Sequence, residues 1–253
     1  MSGYSAFAEY YDVLQRDVPY GRIAERIAAL GRQYSSENEV IVELGCGTGR
    51  LCRELVKLGY DVIGVDISAE MLDIAEQYSE EGEVTYLLQD MTELDLWGAA
   101  DIIVCVLDGM NHLKDEQAFC KAIERAAMFT CDGGLLIFDV NTEYKHRQIL
   151  GDNAFVYDVE DEGLFCAWRN SCNEDGSVDI ALDFFQNEGG IYHRSSEYFT
   201  EILISRRVID DALGKSGFEL VGVFDGLSEA EPCETTQREL YVCRRRPRRS
   251  MEQ

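Results

Sequence analysis

The sequence predicts an α/β fold in which a mostly parallel sheet carries helices on both faces and an antiparallel β-meander is inserted late in the chain. Apolar, strand-like runs alternate with helix-like segments over residues 39–153, which is typical of βαβ units. Four strand-like runs then follow one another over 154–203, joined by Glu-Gly, Asp-Gly and Gly-Gly turns. A helix-like run and two strand-like runs over 204–246 return to the α/β pattern.

The first predicted elements are helices. Residues 1–38 form a helical cap, because AFAEYYDVL and YGRIAERIAALGRQY carry apolar and aromatic residues at helical spacing on either side of Pro19. The alternating region over 39–153 contains five predicted strands, EVIVEL, YDVIGVDI, EVTYLLQD, ADIIVCVLD and GGLLIFDVN. Its predicted helices are TGRLCRELVKLG, SAEMLDIAEQYSEEG and KDEQAFCKAIERAAMF, with Ser68 as the expected N-cap of the second.

The later elements follow the same signals. The predicted strands of the meander, with the turn residues at their joints, are FVYDVEDEG, LFCAWRNSCNEDG, SVDIALDFFQNEGG and IYHRSSEYFTEI. Within 204–246, SRRVIDDALGKSG predicts a helix, and FELVGVFDG and ELYVCRRR predict two closing strands. Residues 247–253 are a basic tail, which we expect to be a frayed terminus. The alternative is a contact of this tail with nucleic acid or a membrane.

Composition limits the class of protein. With 253 residues and 46% hydrophobic residues, the chain can form a sizeable core, and no apolar run reaches the ~20 residues that span a bilayer. The first residues lack the features of a secretion signal, so we expect a cytoplasmic protein without a membrane partner. The nine scattered cysteines contain no CxxC pair and predict buried thiols, not metal ligands. A formal net charge of −25 disfavours binding to nucleic-acid phosphates.

The segment ELGCGTG, residues 43–49, follows the first predicted strand and carries glycine at 45, 47 and 49. Glycine allows a tight turn and a close approach of a ligand to the backbone, and the next helix presents unpaired N–H groups. Asp66 ends the next strand about 20 residues later, where a carboxylate can accept hydrogen bonds from ribose hydroxyls. These features predict a nucleoside-containing ligand at the carboxyl edge of the sheet.

Two ligand classes fit this pattern, a dinucleotide and S-adenosylmethionine. Dinucleotide sites favour GxGxxG, whereas this loop reads GxGxG with Glu43 in front. Asp90 ends the third strand, where it could accept a hydrogen bond from an adenine amino group. S-adenosylmethionine therefore fits better.

The motifs ELGCGTG, VDIS, QDM, DGMNHL and GGLLIFDVN occur in the order found in class I S-adenosylmethionine-dependent methyltransferases, and the sequence resembles that family over most of its length. The resemblance implies a Rossmann-like, seven-stranded sheet that ends in a reversed hairpin. The cap and the meander resemble a bacterial small-molecule subgroup, similar in layout to amino-sugar N-methyltransferases.

The resemblance also implies roles for single residues. Glu43 and the three glycines would contact the methionine part of the cofactor, Asp66 the ribose, and Ile67 and Asp90 the adenine. Tyr11 and Tyr20 lie on the cap and could close over the sulfonium, since aromatic faces attract cations. The predicted cofactor site comprises Tyr11, Tyr20, Glu43, Gly45, Cys46, Gly47, Gly49, Asp66, Ile67, Met71, Asp90, Met91 and Leu107, with no chemical role for the Cys46 thiol.

The acceptor side is predicted at the loop after the fourth strand. His112 is the candidate general base and Asp108 a candidate for orienting an amine, although His112 could equally be a packing residue. Further candidate substrate contacts are Asn111, Asn141, Tyr144, Trp168 and Arg169. Trp168 and Arg169 are neighbours on a predicted strand, so at most one of them can face the cleft directly.

The predicted activity is methyl transfer from S-adenosylmethionine, by in-line displacement, to a nitrogen or oxygen of a small molecule, leaving S-adenosylhomocysteine and using no metal. The alternatives are methylation of RNA or protein and a non-catalytic module that binds the cofactor. We expect a monomer or a homodimer.

Overall fold

The computed structural model describes residues 5–35 and 39–248, with eleven strands and six α-helices in those ranges. The helices are α1 (Ser5–Leu14), α2 (Tyr20–Tyr34), α3 (Arg50–Lys57), α4 (Ala69–Tyr78), α5 (Glu116–Phe129) and α6 (Arg206–Lys215). The strands are β1 (Val40–Leu44), β2 (Asp61–Asp66), β3 (Val84–Leu88), β4 (Ala100–Cys105), β5 (Thr130–Asn141), β6 (Ala154–Val159), β7 (Leu164–Cys172), β8 (Val178–Glu188), β9 (Ile191–Glu201), β10 (Phe218–Asp225) and β11 (Arg238–Arg245).

The main sheet has seven strands in the order β10-β11-β5-β4-β1-β2-β3. Strands β1 to β5 pair in parallel, and β11 is antiparallel to both β5 and β10. The carboxyl ends of the five parallel strands and the first residue of β11 therefore meet at one edge of the sheet. The predicted Rossmann-like sheet with a reversed closing hairpin is confirmed.

Alternating side chains place two apolar layers on the faces of this sheet. On one face Val42, Ile103 and Phe138 pack with Phe119 of α5 and Ile209 of α6. The rings of Phe138 and Tyr241 stack there, with centroids 5.0 Å apart. On the opposite face the neighbouring strand residues pack against α2 and α3; this set includes Ile41, Ile102, Ile137, Ile27 and Leu55. Burial on both faces explains why the parallel strands read as nearly continuous apolar runs.

The inserted meander forms a separate four-stranded antiparallel sheet in the order β6-β7-β8-β9, as predicted. The inward face of this sheet carries Cys166, Leu182 and Phe184, which pack in one cluster with Ala8 of α1 and Met71 of α4. Helix α1 therefore packs against both the inserted sheet and helix α4 of the main domain. This packing places the second sheet beside the carboxyl edge of the first.

Several boundaries differ from the sequence prediction. Helix α3 begins at Arg50, two residues after the predicted start, because Gly49 has φ 72° and serves as its N-cap. Ser68 caps α4 as expected, accepting a hydrogen bond from the Met71 amide. Residues Lys145–Leu150 form a π-helical turn that the sequence did not indicate.

Parts of two predicted segments lie outside the described residues, namely 1–4 and 36–38 of the cap and 249–253 of the tail. None of the helices in the described ranges combines the length and the apolar character needed to cross a lipid bilayer.

Candidate active site

A cleft of about 490 Å³ opens at the carboxyl edge of β1, β2 and β4 and is covered by α1 and the start of α2. Such a volume is suited to a small organic ligand. The cleft brings together most of the residues predicted from the sequence. Its lining includes Tyr11, Tyr20, Glu43, Gly45, Cys46, Gly47, Asp66, Ile67, Met71, Asp90, Met91, Leu107 and His112.

The glycine loop uses its glycines in two ways. Gly47 lines the cleft with φ 53°, and the nearest atom to an added Cβ would be Cε1 of Tyr11, 3.8 Å away. This position needs a left-handed backbone, which glycine adopts freely, and the Tyr11 ring lies at van der Waals distance from it. Gly49 lies beyond the lining of the cleft, and a Cβ there would overlap the Tyr86 hydroxyl. The third glycine of the motif therefore permits close packing against the Tyr86 side chain of β3 instead of ligand approach.

Asp66 is held rigidly at the end of β2. One carboxylate oxygen accepts the Gly47 amide at 2.7 Å, and the other accepts the Ser68 amide at 2.9 Å. Burial raises the pKa of this carboxyl group, and the backbone hydrogen bonds oppose that rise. These two bonds fix both the carboxylate and the glycine loop at the rim of the cleft.

Glu43 lies deeper, on β1, and its side chain is buried. Burial raises its pKa to about 8, although a hydrogen bond donated by the Cys52 thiol at 2.9 Å acts in the opposite direction. The free protein therefore holds Glu43 mostly neutral at pH 7. A cation placed against Glu43 would favour loss of this proton.

Asp90 follows β3 and accepts the Thr92 amide at 2.7 Å, so it caps the 3₁₀ turn Met91–Glu93. Gln89, Asp90 and Met91 all line the cleft, with Ile67 and Met71 also on this side. The end of the cleft near β3 thus combines apolar faces with polar atoms at its edge.

Helix α1 covers the glycine loop. The Tyr11 side chain lies above Gly47 and is hydrogen-bonded to Tyr20, and burial raises the pKa of both phenols, that of Tyr20 to about 12. Asp12 accepts a hydrogen bond of 2.7 Å from the Thr48 hydroxyl. On the other side of α1, the Tyr10 ring contacts Phe184 of the inserted sheet at 5.1 Å. Helix α1 therefore contacts both the glycine loop and the inserted sheet.

The acceptor side begins where β4 ends. His112 lies at the end of the 3₁₀ turn Gly109–His112 and lines the cleft, with its ring 5.0 Å from that of Phe199 on β9. Asp108 forms ion pairs with Arg238 at 3.1 Å and Lys145 at 3.7 Å. Burial alone would raise the pKa of Asp108, but these cations outweigh it and lower the pKa to about 2. Asp108 therefore stays ionised.

Two predicted substrate residues are engaged inside the protein. Asn111 is fully buried; its amide oxygen accepts the Asn141 backbone N–H at 2.9 Å, and its NH₂ group donates to the Ile202 carbonyl at 2.8 Å. The Asn141 side chain donates to Asp108 at 3.0 Å and to Glu201 at 2.7 Å. Both amides cross-link β5, the end of β9 and the 3₁₀ turn, and neither lines the cleft.

The remaining predicted substrate residues also lie outside the lining of the cleft. Trp168 packs on the inward face of the inserted sheet, with its ring 5.6 Å from that of Phe155. Arg169 points to the opposite face and forms an ion pair with Asp183 at 2.9 Å. This alternation follows from the strand geometry. Tyr144 immediately precedes the π-helical turn.

Sequence reasoning missed several residues of the site. Thr48, Ser68, Gln89, Thr92 and Lys114 line the cleft. Most of these are neighbours of the motif residues, so widening each motif by one or two positions would have found them. Arg238 had no such signal, because it lies 99 positions from its partner Asp139. Within the described ranges no three His, Cys, Asp or Glu side chains are grouped so that they could hold a metal ion.

Comparison with known proteins agrees with this geometry. Residues 41–134 match the family described as a methyltransferase domain. A protein of Geobacillus sp. (strain WCH70) that bears a methyltransferase name is 31% identical over 252 residues, covering 96% of this chain and 99% of that protein.

Two solved structures share the architecture. An S-adenosylmethionine-dependent methyltransferase from Clostridium acetobutylicum ATCC 824 is 27% identical, with a TM-score of 0.86 over 97% of this chain and 100% of that chain. The sugar N-methyltransferase KedS8 from Streptoalloteichus sp ATCC 53650 shares the fold at 20% identity, with a TM-score of 0.79 over 94% of this chain and 93% of that chain. The chain belongs to the S-adenosylmethionine-dependent methyltransferases.

Proposed function

We propose that this methyltransferase transfers its methyl group to the nitrogen of a small-molecule amine. The observation that carries the proposal is His112, which lines the cleft just after the end of β4, because a protonated amine must lose a proton to a base before it can attack. Asp108 is ionised, but it lies outside the lining of the cleft and is paired with Arg238 and Lys145, so it does not present a free negative charge to the acceptor.

The residues of the cleft fit S-adenosylmethionine. Asp66 lines the cleft at the end of β2, and besides the Gly47 and Ser68 amides its carboxylate has acceptor capacity for two ribose hydroxyls. Glu43 is the buried carboxyl group that would pair with the ammonium group of the methionine part. Ile67 and Met91 supply apolar contacts for the adenine, and Asp90 supplies an acceptor at its edge. When bound, this cofactor supplies a methyl group that its sulfonium has already activated.

The chain's own residues then have to orient the acceptor and remove a proton. A protonated amine cannot attack until it loses one proton, and His112 is the histidine that lines the cleft. Its ring rests against Phe199 of the inserted sheet, which limits its rotation. Helix α1 covers the cleft through Tyr11, and a covered cleft favours the in-line approach of the acceptor.

A small acceptor agrees with the shape and the charge of the protein. The cleft is roofed by α1, and a net charge of −25 repels a nucleic-acid backbone. The structural neighbour KedS8 is a sugar N-methyltransferase, which supports an amine-bearing small molecule over RNA or protein.

The test is an acceptor screen with trideuteromethyl-labelled S-adenosylmethionine. The protein is incubated with small amines, matched alcohols, bulk tRNA and a peptide mixture, and mass spectrometry follows the labelled products. We expect labelled amines only. Labelled alcohols without labelled amines would refute nitrogen as the acceptor, and labelled tRNA or peptide would refute the small-molecule class.

A matched pair of variants then tests His112 on the amine that the screen finds. His112→Gln should lower kcat by about 10²-fold or more at neutral pH, with the loss shrinking at high pH, where the amine is already deprotonated. His193→Gln is the control, because His193 is exposed on β9, away from the cleft. Equal kcat for all three proteins would exclude His112 as the base.

A further inference from the structure

The backbone is strained where β4 ends beside the cleft. Leu107 and Asp108 have φ of 59° and 60°, and among the described residues they are the non-glycine residues with positive φ. Aspartate tolerates this left-handed region, but a bulky residue such as leucine rarely adopts it. Leu107 lines the cleft, so the strained backbone lies directly at the cofactor site. Such a conformation persists only where the surroundings hold it.

A buried carboxylate on the neighbouring strand holds it. One oxygen of Asp139 accepts the Leu107 amide at 2.9 Å, and the other accepts the Asp108 amide at 2.8 Å. Asp139 lies on β5, which pairs with β4, and its side chain is buried. The two strained residues therefore direct both of their N–H groups at one carboxylate.

Arg238 completes this arrangement from a third strand. Its guanidinium group lies 3.3 Å from Asp139 and 3.1 Å from Asp108, so one cation joins the carboxylate to the side chain of the turn. Without a cation, two buried acids this close would repel each other. The turn is thus fixed through its backbone by Asp139 and through its side chain by Arg238.

The direction of the following residues depends on this turn. The Asn111 amide donates to the Asp108 carbonyl at 2.7 Å, which starts the 3₁₀ turn that carries His112. We infer that Asp139 is a positioning residue, which holds Leu107 and Asp108 in the left-handed conformation and thereby aims Leu107 and His112 into the cofactor cleft. This inference rests on the proposed function only in taking the cleft as the S-adenosylmethionine site.

Strand β4, which ends at the strained turn, also offers a control residue. Asp101, at the opposite end of β4, also accepts two backbone N–H groups, from Glu39 at 2.9 Å and from Val40 at 3.0 Å. Its partners have ordinary backbone angles, and it lies away from the cleft. Asparagine at 139 turns one of the two acceptors into a donor that faces an N–H group, because each oxygen of Asp139 accepts one. At 101 one oxygen accepts both N–H groups, so the control is Asp101→Ala, which removes that oxygen.

The first experiment measures the affinity for S-adenosylhomocysteine by calorimetry and the melting temperature by calorimetric scan. Both Asp139→Asn and Asp101→Ala should melt earlier than the wild type, because each leaves a backbone N–H group without its acceptor. Only Asp139→Asn should also weaken binding, by about tenfold or more. Unchanged affinity in a folded Asp139→Asn protein overturns the inference, and so does equal weakening in the two variants.

A second comparison remains informative if Asp139→Asn fails to fold. Leu107→Gly and Leu107→Ala both remove the side chain, but only glycine adopts positive φ freely. We expect the glycine variant to melt higher than the alanine variant, the reverse of the usual order. A higher melting temperature for alanine would mean that the turn is not strained. If the wild type itself binds no S-adenosylhomocysteine, the assignment of the cleft fails, which is a separate result.

Discussion

Glu43 should make cofactor binding release a proton. Its pKa is about 8 in the free protein, so about nine-tenths of the molecules carry this proton at pH 7. If the ammonium group of the cofactor pairs with the Glu43 carboxylate, Glu43 loses this proton when the cofactor binds. Binding at pH 7 should then release about 0.9 proton, and affinity should rise by close to tenfold per pH unit from roughly pH 6 to pH 7.5 before levelling near pH 8.

The titration of Glu43 also changes the stability of the protein, which should fall as pH rises while the cofactor affinity increases. The folded protein binds this proton more tightly than the unfolded chain, where the pKa of glutamate is about 4.3. The unfolded state therefore holds fewer protons, and the free energy of unfolding falls as pH rises from about 5 to 8, by about 1.4 kcal/mol per unit in the middle of that range. The Glu43→Gln variant has no titrating proton at this position. Its cofactor affinity and its free energy of unfolding should therefore lack the pH dependence that comes from Glu43.

Calorimetric titration with S-adenosylhomocysteine in two buffers of different ionisation enthalpy measures the released proton. Wild type and Glu43→Gln should bind almost equally near pH 6, and the wild type should bind about 10- to 100-fold more tightly at pH 8. His112→Gln is titrated in parallel, because His112 also lines the cleft and must keep the full Glu43 signal. Proton release that persists in Glu43→Gln, or no release in the wild type, would refute this assignment.

Three further predictions concern the loop and its cover. Asp66→Asn should weaken S-adenosylhomocysteine binding by about 10²-fold, since it loses acceptors for the ribose, and a normal affinity by calorimetry would contradict that role. Gly49→Ala should destabilise the protein by about 2–4 kcal/mol in urea unfolding, whereas Gly98→Ala, in open space, should change it little; equal effects would argue against the overlap with Tyr86. Asp12→Ala removes the bond to the Thr48 hydroxyl and should speed ligand dissociation several-fold in stopped flow; an unchanged rate would mean that this bond does not hold the cover closed.

The cofactor half of the site could be predicted because its residues lie at strand ends and in short motifs. A parallel sheet brings the ends of β1, β2 and β3 to one edge, so Glu43, Asp66 and Asp90 become neighbours as soon as the strands are identified. The glycine motif was also recognisable, but a spacing pattern does not separate a glycine that faces a ligand from one that faces a packed side chain. Gly49 is of the second kind, since the obstacle to its Cβ is Tyr86 on β3.

The acceptor half depends on pairs that are distant in sequence and carry no motif. The Asn111 side chain bonds to Ile202, 91 positions away, and Asp139 pairs with Arg238, 99 positions away. The sequence pattern therefore indicates a substrate contact for polar residues near a predicted loop, although a buried amide group usually finds its hydrogen-bond partners inside the protein. A polar residue in such a loop predicts a substrate contact only where the fold leaves it without internal partners. Asn111 and Asn141 fail this condition, whereas His112 lines the cleft and remains the candidate on which the chemistry at this end depends.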